Sequence, residues 1–157
     1  MNSTHSLNLK AINTRPAMIP DNKSTVRNFI EATFNQGDLS QLETFIHPEY
    51  HYRSPTEEII GIDALRAFAS ALRSAFPDMH VEVREQIGES PKVCTRVVMT
   101  GTHQGEFTGI PPTGQPIKIE GTIISQLDEG RITQEWELLD QLSLLQQLGL
   151  LPKADAA

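Results

Sequence analysis

The stretch 130–149, GRITQEWELLDQLSLLQQLG, carries three carboxylates, Glu135, Glu137 and Asp140, on what reads as one β-strand leading into a short helix. A turn at Asp128-Glu129-Gly130 precedes the strand, which runs through Asp140, and the apolar helix ends on Gly149. Side chains alternate along a strand, so Ile132, Gln134, Trp136, Leu138 and Asp140 share one face, and Arg131, Thr133, Glu135, Glu137 and Leu139 the other. The first face is the more apolar, which points Asp140 toward a core. Glu135 and Glu137 are then solvated unless the sheet curls their face around a cavity. A carboxyl deprived of water beside a ligand gains proton affinity and becomes a usable proton carrier, so Glu137 and Asp140 are the alternative candidates for general acid/base chemistry.

Other side chains invite a chemical reading beside a plainer one. His103, in GTHQG, is an acid or base, or it fixes its glycine-rich connection by hydrogen bonds. Arg96 lies in a Val-rich strand, where a buried guanidinium needs a partner: Glu120, Glu137 or a ligand oxygen. Trp136 is most simply a core or dimer-packing residue. His5, His47, His51, His80 and His103 show no metal-ligand spacing, and no metal is expected. Gly105, Gly109 and Gly114 lack the Gly-Lys-Ser or Gly-x-Gly context of a phosphate loop and belong instead to a hairpin connection.

The elements that must position these groups follow from periodicity. Val26, Phe29, Ile30, Thr33 and Phe34 fall at helical spacing, with Asp21 or Asn22 as caps and Gly37 past the end. Asp38 and Gln41 frame a second, short helix with Leu39, Leu42, Phe45 and Ile46 on its apolar stripe, stopped by His47-Pro48. Tyr50–Ser54 reads as a short strand. Leu65, Phe68, Ala69, Leu72 and Phe76 mark a third helix, entered near Gly61 and closed by Pro77-Asp78. The period then becomes two: Met79, Val81, Val83, Glu85 and Ile87 alternate with polar residues, and strands follow over 92–102, 115–127 and 130–140. Helices first and hairpin-linked strands afterwards predict an α+β domain, with helices on one side of an antiparallel sheet.

Composition narrows the partners. The chain has 157 residues, enough for one domain with a real core, predicted over 21–150 with tails at 1–20 and 151–157. Twenty Asp and Glu against thirteen Lys and Arg leave a formal charge of -7, which speaks against nucleic acid or an anionic membrane and for a neutral or apolar small molecule. Cys94 is the single cysteine, so no internal disulfide forms and a reducing, cytoplasmic setting is expected. The first twenty residues contain no acid and no apolar run long enough for a signal peptide or membrane span; they read as a mobile tail, and are also compatible with a loose organelle transit signal.

Five pieces in order, IHPEY, a Gly-Ile-Asp helix start, GTHQGEFTGIPPTG, DEGRI and WELLDQLSLLQQLG, resemble the SnoaL-like polyketide cyclases, or ester cyclases, of the nuclear-transport-factor-2-like superfamily. The resemblance covers about Asp21 to Leu150. It implies a cone: a strongly curved antiparallel sheet around an apolar cavity closed by helices, with the GTHQGEFTGIPPTG loop as a lid that offers Phe107 to a ligand. It also implies a homodimer, a small polycyclic ligand, and cofactor-independent ring closure by intramolecular aldol condensation. In that reaction a carboxylate on the last strand removes a carbon-bound proton and returns it to the new alkoxide. Carried over by position, that carboxylate is Glu137, slightly ahead of the Asp140 that strand parity favours, and the family's substrate-positioning asparagine is Tyr52. The family's glutamine and histidine on the preceding strand are here Gly121 and Ile123, a departure that bears on the substrate. The resulting expectation is a cyclase or isomerase acting on a polyketide-like ketone or ester. The alternative is a non-catalytic binder of apolar ligands, while epoxide hydrolysis is disfavoured because Val98 stands where an aspartate would follow Arg96.

Overall fold

A computed structural model describes residues 21–152. The tail expected at 1–20, and all of the tail expected at 151–157 except Leu151 and Pro152, lie outside the described residues. Helix α1 (Asn22–Ile30) buries Val26, Phe29 and Ile30 and continues into a π-helical turn, Glu31–Asn35, in which the Gln36 N–H reaches the Glu31 carbonyl at 2.9 Å. Asn35 ends this turn and pairs by its side-chain amide with both backbone groups of Val81 (2.7 and 3.0 Å). Arg73 donates to the Phe34 carbonyl at 2.6 Å, tying the same corner to the third helix.

The short helix expected after Asp38 is a 3-10 turn, Leu39–Gln41, followed by α2 (Leu42–Phe45). Asp38 caps it, accepting from the Ser40 N–H at 3.1 Å. Ile46 and His47-Pro48, read as the end of that helix, instead open strand β1 (Ile46–Arg53). A short β2 (Glu58–Ile60), not visible in the periodicity, folds back on β1, and α3 (Ile62–Ala75) follows Gly61 as expected. Then come β3 (His80–Glu89), β4 (Lys92–Thr102), β5 (Pro116–Asp128) and β6 (Arg131–Leu139), and α4 (Gln141–Gln147).

The six strands form one curved sheet in the order β2-β1-β6-β5-β4-β3, with the helices against its concave face. All neighbours are antiparallel except β1 and β6, which run parallel. The parallel pair is possible because β2, α3 and the strands β3, β4 and β5 intervene between its strands. Two irregularities change which side chains face inward. The pairing of β5 with β6 steps from Gln126–Gln134 to Leu127–Ile132, leaving Thr133 as an extra residue. Ile132 therefore faces the core, and beyond the bulge so do Glu135, Glu137 and Leu139, the reverse of the parity expected for a regular strand. A second step after Val83 in β3 leaves Ile87 outside, 66% exposed, although its spacing from Val81 and Val83 predicts the inner face.

The connection 103–115 is tied down at its base. The N–H groups of Gln104 and Gly105 both donate to the Ala75 carbonyl (2.9 and 3.1 Å), and a Cβ on Gly105 would lie 2.3 Å from the Ser74 carbonyl oxygen. Its tip is a two-residue hairpin: Phe107 and Ile110 exchange two hydrogen bonds around Thr108 and Gly109, both at positive φ. Because backbone rather than a flexible side chain opposes a Cβ at Gly105, Gly105→Ala should destabilise the fold by about 2 kcal/mol in urea unfolding.

Candidate active site

Between the sheet's concave face and the helices lies a cavity of about 370 Å³. Most of its wall is apolar, with Phe29, Phe34, Phe68 and Phe76 from the helical layer and Val97, Met99 and Ile123 from the sheet. Its polar end is built by the parallel pair β1 and β6. On β1, Tyr50 and Tyr52 face inward; on β6, Glu135 and Glu137 do the same, and Tyr52 stands beside Glu135 in the backbone register. Tyr50 donates to Glu135 Oε2 at 2.6 Å, Ser125 of β5 donates to Glu135 Oε1 at 2.7 Å, and Tyr52 donates to Glu137 Oε1 at 2.8 Å. Glu135 is buried; Glu137 is partly buried and borders the open space.

The charged residues lining the cavity are Glu57, Glu135 and Glu137, with no Lys, Arg or His among the lining residues. No cation therefore offsets the loss of water around these carboxyls. Burial pushes the Glu137 carboxyl up to about 7, the Tyr52 hydrogen bond pulls it partly back, and the charge of Glu135 adds to the rise. Glu135 is also raised by burial, against the pull of its bonds from Tyr50 and Ser125. Both tyrosine hydroxyls are raised, first by burial and then by the facing carboxylates, and so stay protonated as donors.

The other side chains singled out from the sequence do not join this cluster, apart from Phe107. Asp140 is exposed and caps α4, accepting from the Ser143 N–H at 3.0 Å; the Thr133 bulge and the end of β6 at Leu139 take it off the cavity face, correcting the parity expectation. His103 is fully buried but outside the cavity lining. Its Nδ1 accepts the Thr113 N–H at 3.2 Å and its ring stacks on Phe76 at 5.3 Å, so it fixes the base of the 103–115 connection. Arg96 is not buried: it lies on the outer face between Glu85 (3.5 Å) and Glu120 (3.8 Å), all three exposed, which removes both Arg96 and Glu120 from ligand contact. Trp136 also faces outward, with the Lys92 ammonium 5.4 Å from its ring centroid. Phe107 lines the mouth and meets Phe76 edge-on at 5.4 Å. Tyr50 and Glu135 were missed as site residues, although Tyr-x-Tyr and Glu-x-Glu at strand spacing were their visible signal. Among the described residues no three His, Cys, Asp or Glu cluster to hold a metal ion, and no helix is long and apolar enough to cross a membrane.

A curved sheet and helices enclosing an apolar cavity, with a carboxyl of raised proton affinity at its polar end, define a class of small-molecule site suited to proton transfer on an apolar substrate. The SnoaL-like polyketide cyclase family model matches residues 24–148, and the chain belongs to that family. It is 30% identical over 128 residues to aklanonic acid methyl ester cyclase DnrD of Streptomyces peucetius, covering 79% of this chain and 88% of that protein. It is 27% identical over 124 residues to nogalonic acid methyl ester cyclase of Streptomyces nogalater, covering 75% and 90%. Among solved structures, TsrD of Streptomyces laurentii superposes with a TM-score of 0.75 at 29% identity, covering 82% of this chain and 95% of that one.

A carboxyl raised by folding binds its proton more tightly in the native than in the unfolded state, so its stabilising contribution is complete below the ordinary carboxylate pKa and is lost as pH rises through about 7. Wild type should therefore lose on the order of 2–3 kcal/mol relative to Glu137→Gln between pH 4.5 and pH 7.5, measured by urea unfolding of both proteins across that range.

Proposed function

We propose that this protein is a cofactor-independent cyclase that closes a ring in an uncharged polycyclic keto-ester, with Glu137 as the proton carrier. The observation that carries this reading is the Glu137 carboxyl at the edge of a largely apolar cavity, with a proton affinity near neutrality. Such a group is ionised often enough to act as a base and binds the proton tightly enough to return it. Glu137 takes the proton from a carbon flanked by carbonyl groups, and the substrate's conjugation spreads the resulting negative charge. The carbanion forms a carbon–carbon bond to a carbonyl carbon of the same molecule, and the new alkoxide recovers the proton from Glu137. The product is an isomer of the substrate. Tyr52 holds Glu137 in the resting site and, once the carboxyl is neutral, its hydroxyl is free to donate to a substrate oxygen.

The charge of the lining supports an ester over the free acid. A carboxylate on the ligand would enter a cavity with three glutamates and no basic side chain, at a cost of several kcal/mol in lost hydration with no ion pair to offset it. The names of the two relatives, both methyl ester cyclases, agree with this preference.

Incubation with aklanonic acid methyl ester, followed by chromatography and mass spectrometry, should give a product of unchanged mass and altered retention. Glu137→Gln should lower kcat by at least about a hundredfold while the ester still binds, and Asp140→Asn should leave kcat within about twofold. Binding of the ester by wild type without conversion would favour the non-catalytic reading, which Gly121 and Ile123, in place of polar side chains, also support. In titrations the free acid should bind at least about tenfold more weakly than the ester.

A further inference from the structure

Glu135 has no role in the proton transfer assigned to Glu137, yet it is the most deliberately held side chain in the cavity. A buried carboxylate without a cation is retained only where donors satisfy both oxygens, and here each oxygen has its own: Tyr50 at 2.6 Å from β1 and Ser125 at 2.7 Å from β5. Two hydroxyl donors favour the anion, since a neutral carboxyl would need one of those contacts reversed to find an acceptor for its own proton. Glu137, two residues on along the same strand face, has one donor and open space beside it.

We propose that Glu135 is a positioning residue for the base: Tyr50 and Ser125 keep it anionic, and its fixed negative charge two residues from Glu137 makes the pair bind a single proton, on Glu137. The inference rests on the function proposed above, in which Glu137 abstracts the proton. A neighbouring anion makes Glu137 the stronger base, because protonation there relieves a repulsion that the dry cavity does not screen. The remaining groups facing the pair do not supply this charge relief. Tyr50 and Tyr52 on β1 are neutral donors, Glu57 in the β1–β2 connection is a further acid, and no charged or titratable side chain reaches the cavity from α1, α3, α4, β3, β4 or β5. Burial raises the proton affinity of Glu135 too, and the Tyr50 and Ser125 hydrogen bonds work against that rise, whereas Glu137 has the single Tyr52 bond to oppose its own.

The experiment is a pH titration of carbon-13-labelled glutamate carboxyls by NMR, with the Glu137 signal assigned by its loss in Glu137→Gln. In Glu135→Gln the Glu137 midpoint should fall by about one unit or more, because the repelling charge is gone. In Tyr50→Phe it should also fall, because Glu135, short of a donor, then takes the shared proton first. The acid limb of kcat/KM should move to lower pH by the same amount in each variant, and the plateau of kcat should drop several-fold with the weaker base. A purely structural role for Glu135 would lower stability without moving either the midpoint or the limb. An unchanged Glu137 midpoint overturns the proposal; if Glu135→Gln does not fold, Tyr50→Phe decides it alone. Absence of turnover in wild type would count against the proposed reaction only, since the NMR titration reads the carboxyl pair directly.

Discussion

Two carboxyl groups in an apolar cavity that no cation among the described residues lines can be held only by neutral donors, and three strands of this fold supply or receive them. The donors come from β1 and β5, the strands on either side of β6: Tyr50 and Tyr52 from the first, Ser125 from the second. The parallel pairing of β1 and β6 matters here because it sets Tyr-x-Tyr alongside Glu-x-Glu in the same direction, so that each hydroxyl meets its own carboxyl. Phenols suit the task. Each brings a large apolar ring that fills the wall and a polar tip that reaches the charge, and burial keeps the hydroxyl proton in place. A lysine or arginine would also satisfy the carboxyls, but by holding them ionised at low proton affinity it would remove the basicity that the proposed proton transfer asks of Glu137.

The cavity itself persists because the elements around it are braced against each other rather than through its centre. Asn35 bonds both backbone groups of Val81, so the π-helical end of α1 covers part of the edge strand β3; Arg73 of α3 holds the same corner. At the mouth, the buried His103 and the two hydrogen bonds that the Gln104 and Gly105 N–H groups donate to the Ala75 carbonyl fix the base of the 103–115 connection, which leaves Phe107 and Ile110 at a tight hairpin tip lining the cavity. Gln141 at the start of α4 reaches Thr56 across the same opening at 3.0 Å. The bracing is thus confined to the rim, and the volume beside the carboxyls stays open for a ligand.

Most of the scaffold was legible in the sequence: α1 and α3 stand where the spacing of apolar residues placed them, and β4 where a Val- and Thr-rich run did. What parity could not give was the inward face of β6. One extra residue at Thr133 inverts every side chain after it, and no composition signal marks a bulge of this kind. The same limit explains Ile87, which a bulge in β3 turns to solvent. Arg96 misled for a different reason. A valine-rich neighbourhood suggested burial, but in a half-exposed strand the alternate positions belong to water, and its partners Glu85 and Glu120 lie on that wet face. Family resemblance placed Glu137 where the residue pattern alone did not. It did so because position relative to the last helix survives a bulge that parity cannot see.

Two of the departures from the family pattern, Gly121 and Ile123, fall together on β5. Ile123 lines the wall, and a Cβ at Gly121 would lie 2.1 Å from Leu139 Cδ2, so the Leu139 side chain occupies the volume that a larger residue at 121 would need. Gly121 carries no side chain there, and Leu139 from β6 fills that volume. With that wall dry, the polar contacts left for a substrate come from the tyrosine and glutamate face and from the mouth. For the proposed reaction, orientation would then rest on shape and on a few hydrogen bonds at one end, which suits a flat, largely apolar molecule with its reactive carbonyls clustered at a single edge. Recognition and reaction would thus use the same carboxyl-bearing end of the cavity, with the opposite wall setting only the size and planarity of the ring system it accepts.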